Sequence, residues 1–245
     1  MPRLPTHYRE EFKLQKLAKL LLCGAGAMLM PLFANTPALA GCSDYPAAGV
    51  DWSGCRKRNI MMSDGDFSGA NFKNIDMVAS DLRKGNFEKV NFERAVMTRV
   101  DGSQANMNNA NLAKAESSRA KFIQTRFNSA NFEKSVFFRG DFTAADMSKA
   151  NLHKSEFSRT NFQSAILTDA TVTFANIARA NFREAKLVNT DFTSSWTYLT
   201  RFEGVNLSAA KGLTQAQIDL ACGDDKTLLP AGLTAPASWP CGEDD

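Results

Sequence analysis

The sequence predicts an all-β chain wound as a four-sided solenoid, and three observations carry that prediction. First, from Ile60 to Ala209 the chain repeats every five residues without an insertion, with centres at Met62, Phe67, Phe72, Met77, Leu82, Phe87 and onward to Leu207. Of these 30 centres, 27 are Phe, Leu, Met, Ile or Val, so the period marks a buried row; Gly102, Ser117 and Thr197 are the exceptions. Second, the residue two before each centre is Ala, Gly, Ser, Thr or Val at 28 of 30 positions, which pairs one small inward residue with each large one. Third, the outward positions carry a superposed period of twenty: Arg99, Arg119, Arg139, Arg159 and Arg179 follow the centre by two, and Asn71, Asn91, Asn111, Asn131 and Asn151 precede it by one.

Five residues fit neither a helix of period 3.6 nor a strand of period two. They fit a short extended side followed by a corner. Such a unit cannot bury its inward pair alone and must stack on its neighbours. Twenty residues then make a coil of four sides, with coils about 4.8 Å apart, the spacing of hydrogen-bonded strands.

The elements follow in order. Residues 1–40 place Lys13, Lys16 and Lys19 before an uncharged apolar run from Leu20 to Phe33, then Asn35-Thr36-Pro37 and Ala38-Leu39-Ala40. This is the order of a secretory signal with cleavage after Ala40, and the run is short for a membrane span. A periplasmic or secreted protein is the expectation. Leu39-Ala40-Gly41-Cys42 also resembles a bacterial lipobox, and the alternative is a lipid anchor in the envelope through Cys42. Four cysteines remain after the signal, and an exported chain with Cys42, Cys55, Cys222 and Cys241 is read as holding two disulfides rather than reduced buried thiols.

Residues 41–59 are read as an N-terminal cap fastened by Cys42–Cys55, with Trp52 as an apolar plug; residues 60–210 as the solenoid; and residues 211–245 as a C-terminal cap. In the latter, Thr214-Gln215-Ala216-Gln217 opens a short helix with a capping box. Leu228, Leu229, Leu233 and Trp239 are expected to cover the last coil, fastened by Cys222–Cys241. The caps answer the exposed strand edges of an open solenoid, and an end left open would serve as a homodimer interface.

Repeats such as Ala70-Asn71-Phe72, Ala110-Asn111-Leu112 and Ala150-Asn151-Leu152 resemble the A(D/N)Lxx motif of the pentapeptide-repeat family, over about 150 residues in one register. The resemblance implies that family's right-handed quadrilateral β-helix, with Phe favoured here over Leu at the centre. Part of the family acts by gyrase-directed DNA mimicry, which needs a strongly acidic cytoplasmic rod. Residues 60–210 hold 19 basic and 16 acidic residues behind a signal segment, so this role ranks below a scaffold.

The formal charge of +3 comes from the first 40 residues; the remainder carries 24 basic and 24 acidic residues, a poor balance for nucleic acid. The sequence offers no catalytic set. His153 is alone after the signal and sits at an outward position without a nucleophile and orienting group beside it. One histidine and four paired cysteines leave no metal set, and no dinucleotide or phosphate loop appears, so no cofactor is expected.

The outward residues are more informative. One side reads Val96-Met97-Thr98-Arg99, Glu116-Ser117-Ser118-Arg119, Val136-Phe137-Phe138-Arg139, Glu156-Phe157-Ser158-Arg159, Asn176-Ile177-Ala178-Arg179 and Trp196-Thr197-Tyr198-Leu199. Phe138, Trp196 and Tyr198 beside the five arginines have the composition of a contact surface, and a second basic row, Arg94, Lys114, Lys134 and Lys154, runs alongside. The candidate binding face is therefore Arg99, Arg119, Arg139, Arg159, Arg179, Phe138, Trp196 and Tyr198, for an unknown protein or anionic envelope polymer. The plainer alternative has Glu116 and Glu156 pairing with the arginines and Trp196, Tyr198 and Leu199 lying beneath the C-terminal cap. The reading is an exported, non-enzymatic scaffold, with membrane contact only if Cys42 is lipidated.

Overall fold

The computed structural model describes residues 41–242; residues 1–40, with the secretory signal expected from the sequence, lie outside the described residues. The residue before each centre pairs in parallel with the residue twenty later, as in Asn71↔Asn91, Asn91↔Asn111 and Asn111↔Asn131. Four such ladders run side by side and define four faces. Face 1 runs from Asp51 to Lys211, face 2 from Arg56 to Trp196, face 3 from Met61 to Cys222, and face 4 from Asp66 to Lys186, with Asn206↔Leu228 beyond it. Most sides are single-residue bridges. Among the described residues only face 2 widens into strands, β1 (Glu116–Ser118) and β2 (Val136–Phe138), parallel with Ser117 opposite Phe137.

Each corner is closed by a turn in which the centre carbonyl accepts from the N–H three residues on, as from Ala70 to Phe67 and from Ala130 to Phe127, both at 3.0 Å. The third residue of the turn lies at positive φ, the conformation a type II turn requires there. The N–H just after each centre is left over, and the Asp or Asn before the centre takes it: Asn91 Oδ1 accepts from Glu93 N and Asn131 Oδ1 from Glu133 N, both at 3.1 Å. On face 1 the same asparagines also bond coil to coil, with Asn111 Nδ2 donating to Asn91 Oδ1 at 3.2 Å and Asn151 Nδ2 to Asn131 Oδ1 at 3.1 Å. The twenty-residue asparagine period is thus a side-chain ladder that satisfies exposed backbone and its own amides together.

The large and small inward residues form one continuous core with phenylalanines stacked along it, as in Phe137–Phe157 at 5.4 Å and Phe162–Phe182 at 4.8 Å between ring centres. The three odd centres have separate causes. A Cβ on Gly102 would come within 2.7 Å of the Phe122 ring, so glycine makes room for the phenylalanine one coil on. Buried Ser117 Oγ donates to Met97 O at 3.1 Å. Thr197 Oγ1 donates to Gln217 O at 2.7 Å and ties the last coil to the C-terminal helix.

Both ends continue the solenoid further than the sequence reading placed it. At the N-terminus the ladder already begins with Asp51↔Asn71, inside the segment read as a cap. Trp52 is fully buried and stacks on Phe72 at 5.4 Å, while its indole N–H donates to Asp44 O at 3.3 Å. It is a centre residue of the first rung rather than a plug across the end, because its spacing from Met62 is two pentapeptides. The Cys42–Cys55 disulfide anchors the irregular segment leading into this rung.

At the C-terminus, helix α1 (Gln215–Leu220) replaces a side of face 2 and buries Ile218. Thr214 and Gln217 form the expected capping box. Gln217 Nε2 also donates to Phe192 O and Ser195 O, both at 3.0 Å. The chain then rejoins the ladders at Cys222 and Leu228. Leu228 is therefore an outward rung residue, 54% exposed, and does not cover the core as expected. Leu229, Leu233 and Trp239 do pack on the core, and the Trp239 ring lies against Gly223, where a Cβ would collide with it. Cys222–Cys241 closes this cap.

Candidate functional site

Face 2 differs from the other faces in what its outward rungs carry. A face built for stability alone would place Asp or Asn before each centre to cap the next N–H. Faces 3 and 4 depart from this mostly with cations, Lys121, Arg201, Arg126 and Lys186, beside Met61 and Ile166; face 2 departs with Val96, Val136 and Trp196, two β-branched side chains and an indole. Val136 is 39% exposed and Trp196 53% exposed. Just past the centres stand Phe138, half-buried, and Tyr198, exposed, with the Trp196 and Tyr198 rings stacked at 6.4 Å. The alternative from sequence, the cap over Trp196, Tyr198 and Leu199, holds in part: both rings stay exposed, while the Leu199 N–H donates to Leu220 O of the cap at 2.7 Å. A shallow depression lined by Thr98, Glu116, Ser118, Val136 and Phe138 lies at the β1–β2 pair.

The corner between faces 2 and 3 carries Arg99, Arg119, Arg139, Arg159 and Arg179. All five are exposed, with φ between 55° and 57°, and each donates its backbone N–H to the next coil, Arg119 to Phe138 O at 3.0 Å and Arg179 to Tyr198 O at 2.8 Å. The row therefore advances one arginine per rung. None of the five forms a salt bridge among the described residues, whereas Arg58, Lys73, Arg83 and Lys134 each hold a carboxylate at 2.6–2.9 Å. The alternative reading, in which Glu116 and Glu156 pair with these arginines, is not met among the described residues. Glu156 is committed to its own rung, accepting from Ser158 N at 3.0 Å and from Asn176 Nδ2 at 2.7 Å. Two of the guanidiniums lie over rings instead, Arg139 over Phe138 at 5.1 Å and Arg179 over Tyr198 at 6.0 Å.

The opposite corner of face 2 holds Arg94, Lys114, Lys134 and Lys154, and here acids do intervene. Glu93 takes Lys73 at 2.9 Å and Arg94 at 3.9 Å, and Glu133 takes Lys134 at 2.8 Å. The hydrogen bond from Lys73 holds Glu93 below the usual carboxylate range, and that from Lys134 does the same for Glu133. The N-terminal end of face 2 is likewise closed by its own charges: Arg58 Nη2 lies 2.6 Å from Asp76 and its hydrogen bond lowers the Asp76 pKa. The unneutralised part of the face begins at Arg99. It ends at a pocket with no signature in the repeat, where Arg179 and Tyr198 meet Leu220, Ser238, Pro240 and Cys241 of the cap.

His153 Nδ1 lies 2.7 Å from Thr173 Oγ1, a contact between neighbouring coils. Among the described residues no group of three or more His, Cys, Asp or Glu side chains is placed to hold a metal ion. No described helix is long and apolar enough to cross a membrane.

Fold and face together define a right-handed quadrilateral β-helix with one differentiated side. The pentapeptide-repeat family model matches in eight copies, over residues 62–99, 76–112, 103–137, 118–153 and 155–193, and the chain belongs to that family. Among solved structures it is similar to a trypsin-treated variant of QnrB1, described as a plasmid-mediated fluoroquinolone resistance protein, at 22% identity over 69% of this chain and 87% of that one, with a TM-score of 0.55. Full-length QnrB1 gives 18% identity, 71% and 86% coverage and a TM-score of 0.53. HetL of Nostoc sp. strain PCC 7120 matches at 17% identity over 76% and 85%, with a TM-score of 0.26. A comparison with curated protein sequences found no match.

Proposed function

We propose that this chain is an exported, non-enzymatic scaffold of the cell envelope that holds an anionic partner on face 2. The observation that carries the reading is the row Arg99, Arg119, Arg139, Arg159 and Arg179, five exposed cations one rung apart with no salt bridge among the described residues. Like charges in such a row repel, and an anionic partner relieves that repulsion when it binds. The exposed Val136, Trp196 and Tyr198 alongside add apolar contact area. A DNA-mimic role would need the opposite sign on this face.

Export is supported by the basic, apolar and small-residue order of residues 1–40 and by two bonded disulfides, which persist in oxidising compartments. The bond from Cys42 to Cys55 favours the soluble form over the lipid-anchored one, because an acylated Cys42 would leave Cys55 without a partner. Cell fractionation with intact-mass measurement tests this. The expected species starts at Gly41, carries no acyl mass and shows no free thiol before reduction. An acylated Cys42 in the membrane fraction would replace the soluble reading with the anchored one.

A further inference from the structure

We infer that the anionic occupant of face 2 is the surface of a phospholipid bilayer, on which the protein lies as a peripheral rod with the C-terminal end of this face among the headgroups. This rests on the reading of face 2 as an anion-binding surface and adds the class of the partner. It also widens the sequence reading, in which membrane contact depended on an acyl chain at Cys42. Two residues that the fold alone would not select point this way. The corner positions of the solenoid stand at positive φ, where Gly, Asn and Asp are favoured and bulky side chains are penalised. Among the described residues the only aromatic there is Phe174, at φ 55°, and the only large aliphatic is Leu199, at φ 52°. Both stand at corners of face 2, in consecutive coils near its C-terminal end. Phe174 is 56% exposed, so core packing does not offset its backbone conformation. With Trp196, Tyr198 and Leu220 of the helix, these two make an exposed apolar patch. A cation lies over a ring at each edge of it, Lys154 over Phe174 at 5.9 Å and Arg179 over Tyr198 at 6.0 Å. Phe, Trp and Tyr beside Lys and Arg are the side chains that settle at a headgroup boundary, rings inward and charges toward the phosphates.

The charge arrangement selects a plane over a single chain. Cations line both edges of face 2, Arg94, Lys114, Lys134 and Lys154 on one and the five arginines on the other, with the width of a side between them. A strand or helix laid along either row leaves the other unmet, whereas an anionic plane meets both. Glu93 and Glu133 draw off Arg94 and Lys134, but Lys114 and Lys154 form no salt bridge among the described residues. These nine cations share face 2 in the same coils with two acids, Glu116 and Glu156, while the rest of residues 60–210 holds 10 basic and 14 acidic residues. The rod is therefore positive on one side and negative on the others, and an anionic surface orients it as well as attracting it. The two acids set which end goes deeper. Beyond Glu156 the outward positions of face 2 are Asn176, Ala178, Trp196 and Tyr198, without an acid, and there the aromatic patch stands. The next acid, Asp219 of the helix, accepts from the Gln215 amide at 2.8 Å.

The test uses the mature protein and three probes: vesicles of phosphatidylcholine, vesicles of equal parts phosphatidylcholine and phosphatidylglycerol, and soluble poly-L-glutamate. Binding is expected to the phosphatidylglycerol vesicles and not to phosphatidylcholine alone. In a variant carrying Arg119→Asn, Arg139→Asn and Arg159→Asn it should fall about a hundredfold, the combined effect of three cations at an anionic surface. Asn is chosen because it tolerates the positive φ of these positions. Trp196 supplies a second readout. The other two tryptophans are Trp52, which is buried, and Trp239, which packs on the core, so brominated lipids should quench the parent and leave a Trp196→Phe variant almost unquenched. No vesicle binding, together with polyglutamate binding that the arginine variant loses, would overturn the bilayer assignment and leave an acidic protein as the occupant of face 2. Equal binding to both vesicle types, or binding without quenching that depends on Trp196, would also overturn the assignment. Binding of neither anion in a way that the arginine variant changes would overturn the reading of face 2 as well. The circular dichroism and thermal midpoints of the variants, expected to match the parent, keep misfolding apart from these outcomes.

Discussion

Gly102 occupies a centre position where every neighbouring coil on its face places a larger side chain, and the Phe122 ring fills the space it leaves. A substitution guided by the repeat, Gly102→Leu, should therefore destabilise the protein by about 1–3 kcal/mol, the cost of forcing bulk into a filled core. Denaturant unfolding measures this, and Phe122→Ala in the same chain should recover part of the loss. A Gly102→Leu protein more stable than the parent would mean that the site holds an unfilled space. Much at this scale was legible in the sequence: the inward pair, the asparagine period and the outward arginines all lie where the repeat puts them. What the repeat could not show was which side chains touch across coils. Asn91 bonding to Asn71 and Glu156 bonding to Asn176 rather than to an arginine are contacts twenty residues apart, chosen by local hydrogen-bond geometry.

The C-terminal element depends on Gln217, which closes the capping box with Thr214 and satisfies two carbonyls of the last coil. Gln217→Leu keeps most of the volume and removes the bonds of its side-chain amide, to the Thr214 N–H and to the two carbonyls, while the backbone N–H of residue 217 still reaches Thr214 Oγ1. Phe192 O keeps the N–H and hydroxyl of Ser195, so only Ser195 O loses its donor; a buried carbonyl left unpaired costs about 1–3 kcal/mol, and losing a helix cap about 1 kcal/mol. The prediction is local: under limiting reductant Cys222–Cys241 should open faster than in the parent, while Cys42–Cys55 keeps its rate. Equal acceleration at both bonds would mean that the ends are coupled through the whole solenoid. The helix was legible because a capping box is written in four adjacent residues. The outward turn of Leu228 was not, because the helix shifts the register and the ladder resumes at a spacing of 21 residues at Cys222 and 22 at Leu228 instead of twenty. At the other end, Trp52 and Cys55 keep the pentapeptide spacing, but Lys57 at the next centre breaks the pattern. Lys57 lies over the Trp52 ring at 4.1 Å, where its stem covers the first rung and its charge reaches solvent.

Across the whole solenoid the net charge is small, and it conceals where the charge lies. The corner between faces 2 and 3 carries five arginines in consecutive coils, while the two corners of face 4 mix Lys84, Lys89 and Lys149 with Asp64, Asp169 and Glu184. Arrangement, not total charge, is the basis of the proposed function. Elution of the mature protein from an immobilised polyanion in a salt gradient tests that claim most directly. Two variants are compared with the parent, one with Arg119, Arg139 and Arg159 changed to Asn and one with Lys84, Lys89 and Lys149 changed to Asn. Both lose three charges at corner positions of positive φ. The account predicts that the arginine variant elutes at much lower salt and the lysine variant close to the parent. Equal shifts in the two variants would contradict it, because retention would then follow the number of charges and not the row on face 2.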